Sequence, residues 1–320
     1  MGYAVLCKPG GLPGHGCRSN NTENVCVLFH EALKELWPAS HRKIHVTLPQ
    51  HVDSEVGGLI IVSTRKEFAT YCTKYLDVDE GEACADEDGG AADRAKKVAG
   101  EETKRYRCLV CVRDPADMDH LQHLAESGVV LTHYFDPKSP NPKKKFIRSQ
   151  PQSAGHDWTE CKMRICSVGC GGDERNLRAA SVTSQYADAN EPDITLAHCL
   201  WKPEPGVNPA DHLGAQYVME LEVEDLSDLP HQLRGQLAQL GTPIVGDFLY
   251  GGGICETGAH GHSWRRMALQ CSMISFPEPK WEEGGEQGDG GTMIPTDKKC
   301  TFRLADAWWT PYLQEYSSSV

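Results

Sequence analysis

The sequence predicts an α+β fold, and two observations read directly from the residues carry that expectation. Apolar, strand-like runs recur at residues 3–6, 59–62, 104–111, 158–168, 216–223 and 301–304, and helical periodicity marks 22–36, 66–76 and the stretch before Gly241. A chain of 320 residues, 39% hydrophobic and 24% charged, also has the means to bury a full core. We expect one domain over residues 1–320, interrupted by three polar insertions.

Taken in order, the first strand (YAVL) enters KPGGLPGHG, where Pro9, Gly10, Gly11, Pro13, Gly14 and Gly16 force a turn-rich loop. Residues 22–36 place Val25, Leu28, Phe29, Leu33 and Leu36 on one helical face after an Asn/Thr-rich entry, which predicts a packing helix. A turn, the strand 59–62 and a helix from about 66 to 76 follow. Residues 77–103 are poor in apolar side chains and rich in Asp, Glu, Gly and Ala, the composition of a solvated, disordered insertion. KRYRCLVC reads as a strand, residues 121–134 as a turn and a strand, and PKSPNPKKKFIRSQPQS as a Pro-rich basic loop. A second polar insertion is expected at 171–210 and a Gly/Glu-rich one at 280–299, ahead of a Trp-rich tail that docks on the core.

The net charge of −13 argues at first sight against a nucleic-acid partner. Its location softens the argument, because residues 77–102 carry ten acids against three basic residues and residues 278–299 carry six against three. The remainder holds the basic cluster Lys143, Lys144, Lys145 and Arg148. Fourteen scattered cysteines, many inside strand-like runs, read as reduced thiols and not as a disulfide framework. Cys108 and Cys111 have metal-like spacing, but residues three apart on a strand point to opposite faces, so no metal site is expected. GGGICETGAHGH lacks the Lys and Ser/Thr of a nucleotide cradle. There is no long apolar run, signal peptide or transit pattern, and the expectation is a soluble, intracellular, monomeric protein without membrane contact.

The chain is organised around residues 228–253, DLPHQLRGQLAQLGTPIVGDFLYGGG. Asp228 can cap a helix with Pro230 in its first turn, Leu233, Leu237 and Leu240 form one apolar stripe, and Gly241 stops it. Arg234 lies beside the stripe, where a planar, permanently charged group calls for a carboxylate partner. This stretch resembles the C-terminal signature of RNA pseudouridine synthases of the class that modifies bacterial large-subunit ribosomal RNA, Gly-Arg-Thr-His-Gln-Ile-Arg followed by Leu-Gly-His-Pro-Ile-Val-Gly-Asp-x-x-Tyr-Gly. The matching residues are His231, Gln232, Leu233, Arg234, Leu240, Gly241, Pro243, Ile244, Val245, Gly246, Asp247, Leu249, Tyr250 and Gly251. The departure is Leu229-Pro230 in place of Arg-Thr. RRMALQCSMISFPEP resembles the family's Arg-x-x-Leu-His-Ala strand, and the first strand and its loop resemble the family's Lys-Pro-x-Gly-Leu.

The resemblance implies the pseudouridine synthase fold, a mixed and largely antiparallel sheet with flanking helices and a central catalytic cleft. Aligned on Gly58 and Leu59, the family's catalytic aspartate falls on Asp53, a position that taken alone is a turn former. Gln50 and His51 stand where the family has His-Arg, and Val56-Gly57 where it has Thr-Ser. Tyr106 takes the place of the tyrosine that covers the uracil face, and Arg234 that of the arginine paired with the aspartate. The implied RNA-contacting residues are His51, Lys104, Lys143, Lys144, Lys145 and His231. The implied activity isomerises uridine in RNA (rRNA or tRNA) without metal or cofactor. The rival expectation is an RNA-binding or RNA-folding scaffold of the same fold that has lost turnover, which the departures at His51, Val56 and Gly57 favour.

Overall fold

The computed structural model describes residues 2–16, 21–36, 45–50, 52–75, 103–137, 143–149, 158–169, 177–178, 217–252, 266–282 and 292–310. Ten strands and four helices are described: β1 (Tyr3–Lys8), α1 (Val25–Leu36), β2 (Gly57–Ser63), α2 (Lys66–Tyr75), β3 (Thr103–Val112), α3 (Pro115–Ser127), β4 (Val130–Phe135), β5 (Phe146–Ile147), β6 (Thr159–Val168), β7 (Leu177–Arg178), β8 (Tyr217–Asp225), α4 (Gln232–Gln239), β9 (Leu269–Glu282) and β10 (Thr292–Arg303). The content is α+β, as expected. The chain, expected as one domain, divides into two compact units, residues 1–104 with 273–304 and residues 105–272 with 305–320.

In the first unit β1 runs antiparallel to β2, from Tyr3 opposite Ser63 to Lys8 opposite Gly58. Every residue of β2 is buried, so its unbroken apolar run GGLIIV serves two covered faces, not an alternation of inside and outside. α2 lays Phe68 flat against Tyr3, with ring centroids 4.3 Å apart, and its Tyr71 hydroxyl donates to the Pro277 carbonyl at 2.8 Å. α1 starts where the sequence indicated, with Asn24 accepting from the Val27 amide at 3.1 Å. Its apolar face is narrower than expected: Val25 and Leu33 are buried, whereas Leu28 is 45% and Leu36 69% exposed. β9 and β10 form an antiparallel pair from Met273 opposite Arg303 to Glu282 opposite Thr292, with a bulge between Pro295 and Lys299. The expected insertion at 280–299 is therefore paired strand on both sides, and only 283–291 lie outside the described residues.

In the second unit β3, β8, β6, β4 and β5 lie side by side in that order, with β7 also on β8. The pairings of β6 with β4 and with β8 are antiparallel. Buried Glu220 on β8 gathers Arg107 Nη2 at 2.8 Å and Trp309 Nε1 at 3.0 Å. Trp309 is fully buried among Leu109, Cys111, Val245, Ala268 and Ala307, so the described part of the Trp-rich tail docks as expected.

Two elements differ from the sequence reading. Residues 121–127, expected as a turn ahead of a strand, belong to α3, which Asp114 caps by accepting from the Ala116 amide at 2.9 Å and Gly128 ends at φ +61°. Asp-Pro at the start and Gly at the end were the usable signals; only Leu121 and Leu124 are buried along the helix, which left little periodicity to read. α4 is not capped by Asp228. Asp225 instead accepts from the Ser227 and Asp228 amides, Asp228 and His231 adopt φ of +52° and +59°, and the helix begins at Gln232. Gly241, at φ +89°, ends the segment as expected, and Leu233, Leu237 and Leu240 face the core.

Candidate active site

In the first unit Asp53 is half-buried and opens a tight turn, its carbonyl accepting from the Val56 amide at 3.2 Å. The turn is tied to the loop after β1. Gly11 N–H donates to the Ser54 carbonyl at 2.8 Å, and Lys8 Nζ donates to the carbonyls of Leu12 (2.8 Å), Ser54 (2.9 Å) and Pro9 (3.2 Å). Lys8 is only 2% exposed, and burial pushes its amine down to about 8 against the pull of Glu55 and Asp53. The sequence reading passed over this lysine; its one signal was a charge closing an apolar strand before Pro-Gly-Gly. Gly57 faces the backbone of the same loop, where an added Cβ would sit 3.3 Å from the Gly10 nitrogen. Close packing of backbone accounts for a residue without a side chain where the family pattern has serine.

The second unit assembles the signature stretch. Arg234 is buried and grips Asp247 with two parallel bonds, Nε to Oδ2 at 2.8 Å and Nη2 to Oδ1 at 3.0 Å. The sequence reading looked to Asp53 for this carboxylate; these two nitrogens go to Asp247. The loop that carries Asp247 is tightly wound: Asp247 N–H donates to the Ile244 carbonyl, Gly252 N–H to the Asp247 carbonyl, and Gly246 N–H to the Gly252 carbonyl. Gly246 has φ +81°, and a Cβ on Gly252 would lie 1.6 Å from the Ile244 oxygen. That spacing of glycines is a requirement of the backbone.

Tyr250, at the end of the same loop, draws in residues expected at an RNA surface. Its hydroxyl accepts from the Lys144 amide at 3.0 Å and lies 3.2 Å from His231 Nδ1. The Tyr250 oxygen thus ties the Lys144 backbone and the His231 ring to one point. Lys143 Nζ stands 5.7 Å and Arg234 Cζ 5.4 Å from the Tyr250 ring centre. Arg148 donates to the Gln239 carbonyl at the end of α4, where a cation suits the helix dipole.

Of the other expected site residues, Tyr106 is half-buried on β3 and Lys145 is exposed. Lys104, an expected RNA contact, is 5% exposed on β3. His51 lies outside the described residues, as do most of 77–103 and 171–210. Cys108 and Cys111 are both buried, and burial raises both thiols, that of Cys111 to about 12. Among the described residues no three His, Cys, Asp or Glu side chains are placed to hold a metal, and no helix is long and apolar enough to cross a membrane.

With this geometry in place, comparison with known proteins is informative. No family model matches the chain. A curated protein of Arabidopsis thaliana, RNA pseudouridine synthase 6, chloroplastic, is 22% identical over 249 residues. The chain is a relative of an RNA pseudouridine synthase. The match covers 78% of this chain and 38% of the pseudouridine synthase, so the chain spans well under half the length of its relative. Two solved structures also align: human RNA pseudouridylate synthase domain containing 1, at 13% identity and TM-score 0.45 over 100% of this chain and 92% of that one, and domain containing 4, at 13% and 0.44 over 86% and 81%.

Proposed function

We propose that this chain is an RNA pseudouridine synthase with the fold of that family. One observation carries the reading: the stretch that matches the family signature builds a single constellation in which Arg234, Asp247, Tyr250, His231 and Lys144 are joined by hydrogen bonds and ring contacts. The sequence relationship to a pseudouridine synthase supports it.

The reaction breaks the N1 to C1′ bond of uridine, turns the base and joins C5 to C1′; N1 gains a proton and C5 loses one. Asp53, ionised, acts as the nucleophile on the nucleoside or as a base at the ribose. Arg234, gripped by Asp247, is the arginine that the resemblance assigns to the reaction. Tyr106 stacks on the base and serves late proton movement. The base leaves the RNA stack first, which costs a few kcal/mol and least in loops and single strands. Lys143, Lys144, Lys145, His231 and His51 are the proposed RNA contacts, and rRNA or tRNA the proposed substrate.

The test is a chemical map of pseudouridine in total RNA from cells lacking the protein, complemented with wild type or Asp53→Ala. A site restored by the wild type alone is the expected result and identifies the substrate. Restoration by Asp53→Ala would refute catalysis by Asp53 and leave an RNA-binding scaffold.

A further inference from the structure

We propose that Asp247 is a positioning residue for the reaction, fixing the orientation of Arg234. The inference rests on the reading of Arg234 as the arginine of that reaction. A guanidinium has two edges that can engage an acceptor in pairs. Asp247 occupies the side edge, Nε with Nη2, at 2.8 and 3.0 Å, so the end edge is held in one direction relative to α4. Three further features remove the remaining freedom. The Asp247 side chain is fully buried, the Tyr250 amide approaches Oδ1 at 3.3 Å, and the Tyr250 ring lies 5.4 Å from Cζ. The carboxylate cannot follow a swinging arginine, because its own backbone is bonded to Ile244 and Gly252 on either side. An arginine meant only to bind phosphate needs none of this, since a flexible exposed cation serves that purpose.

Attraction of the polyanion falls to a different side chain. The exposed Lys143, with its Nζ 5.7 Å from the Tyr250 ring centre, is the phosphate contact. Asp247 thus serves orientation at the reacting group, and not attraction of the polyanion.

The experiment uses the full chain and the RNA identified by the modification map, comparing wild type, Asp53→Ala, Asp247→Asn, Arg234→Lys, the double variant Asp247→Asn/Arg234→Lys, and Lys143→Ala. Asp247→Asn keeps the size and one acceptor oxygen but loses the charge and the second acceptor. We expect its kcat to fall about 100-fold, the scale of a misplaced catalytic group, with KM and RNA affinity within about twofold of wild type. The double variant should be no slower than Arg234→Lys alone, because both substitutions remove one unit of structure. The salt dependence of RNA binding should be unchanged by Asp247→Asn and Arg234→Lys, while Lys143→Ala reduces its slope by about 1. Full kcat in Asp247→Asn while Asp53→Ala is inactive overturns this inference alone; a wild type that modifies no RNA overturns the reaction and the inference together. If Asp247→Asn does not fold, the wild type decides through the Arg234 Nε–H resonance. A proton slow to exchange and unmoved by 0.5 M salt, an added salt level of about a 4 Å screening length, is expected. Rapid exchange would mean that Asp247 does not hold the guanidinium.

Discussion

Lys8→Met isolates what the buried ammonium does for the Asp53 turn. Methionine preserves the length and most of the volume of the side chain, so the change is chiefly the loss of charge and of three donors. Each bond from a charged donor to a carbonyl contributes about 1.5 kcal/mol or more, so the three to Leu12, Ser54 and Pro9 contribute roughly 4–5 kcal/mol. The fall of the Lys8 pKa from 10.5 to about 8 is the net of desolvation and the attractions, and it disfavours the ammonium by about 3 kcal/mol relative to the neutral amine. Burial therefore offsets most of what the bonds supply, and the variant should be only slightly less stable than wild type at pH 7. The pH dependence is more telling. Below pH 8 the amine is charged in both folded and unfolded chains and the burial cost is fully present; between about 8 and 10.5 the folded chain releases the proton first, and wild type gains stability that the variant cannot. Urea unfolding at pH 7 and pH 9.5 should show the gap between wild type and variant widening by about 2 kcal/mol. A constant or narrowing gap would refute the account of Lys8 as a charged, desolvated donor.

Other substitutions probe the rest of the frame. Gly252→Ala should unfold the Asp247 loop or shift it bodily, since the new Cβ meets the Ile244 oxygen at 1.6 Å; loss of activity with a fall in Tm is expected, and a wild-type Tm would count against the loop geometry. Trp309→Ala should cost about 3–5 kcal/mol by denaturant titration, because it empties a fully buried site and removes a donor from Glu220. Burial also raises Glu220 above the ordinary carboxylate range, so stability from this group is present at acid pH and declines as pH rises through its raised value. Thermal melts of wild type and Glu220→Gln from pH 4 upward should diverge in that direction.

What the sequence disclosed depended on how local the physics was. β2, α2 and the stop at Gly241 were legible because apolar runs and glycine act within a few residues. α3 was hidden because two buried leucines in thirteen residues make almost no periodic signal. The start of α4 moved from Asp228 to Gln232 because the chain had a better donor arrangement around Asp225, three residues upstream and outside the helix. At the candidate site, residue types were readable and partnerships were not. Arg234 announced a need for a carboxylate, but only folding shows that a residue thirteen positions away, in a loop shaped by glycines, supplies it. Lys8 was missed for the same reason, since its acceptors are carbonyls, which every residue possesses. The burial of Lys104 was likewise not legible, because basic character on a strand says nothing about which way it is covered.

The division of the chain has a consequence for its synthesis. Each compact unit is built from two separated stretches, and the second takes its last core residue, Trp309, from beyond the end of the first. A ribosome delivering this chain from its N-terminus cannot release either unit as a finished body before β9 and β10 have emerged, so the folding of both waits on those two strands. β1 and β2 must meanwhile hold a strand built for full burial as an isolated antiparallel pair, a marginal arrangement in water.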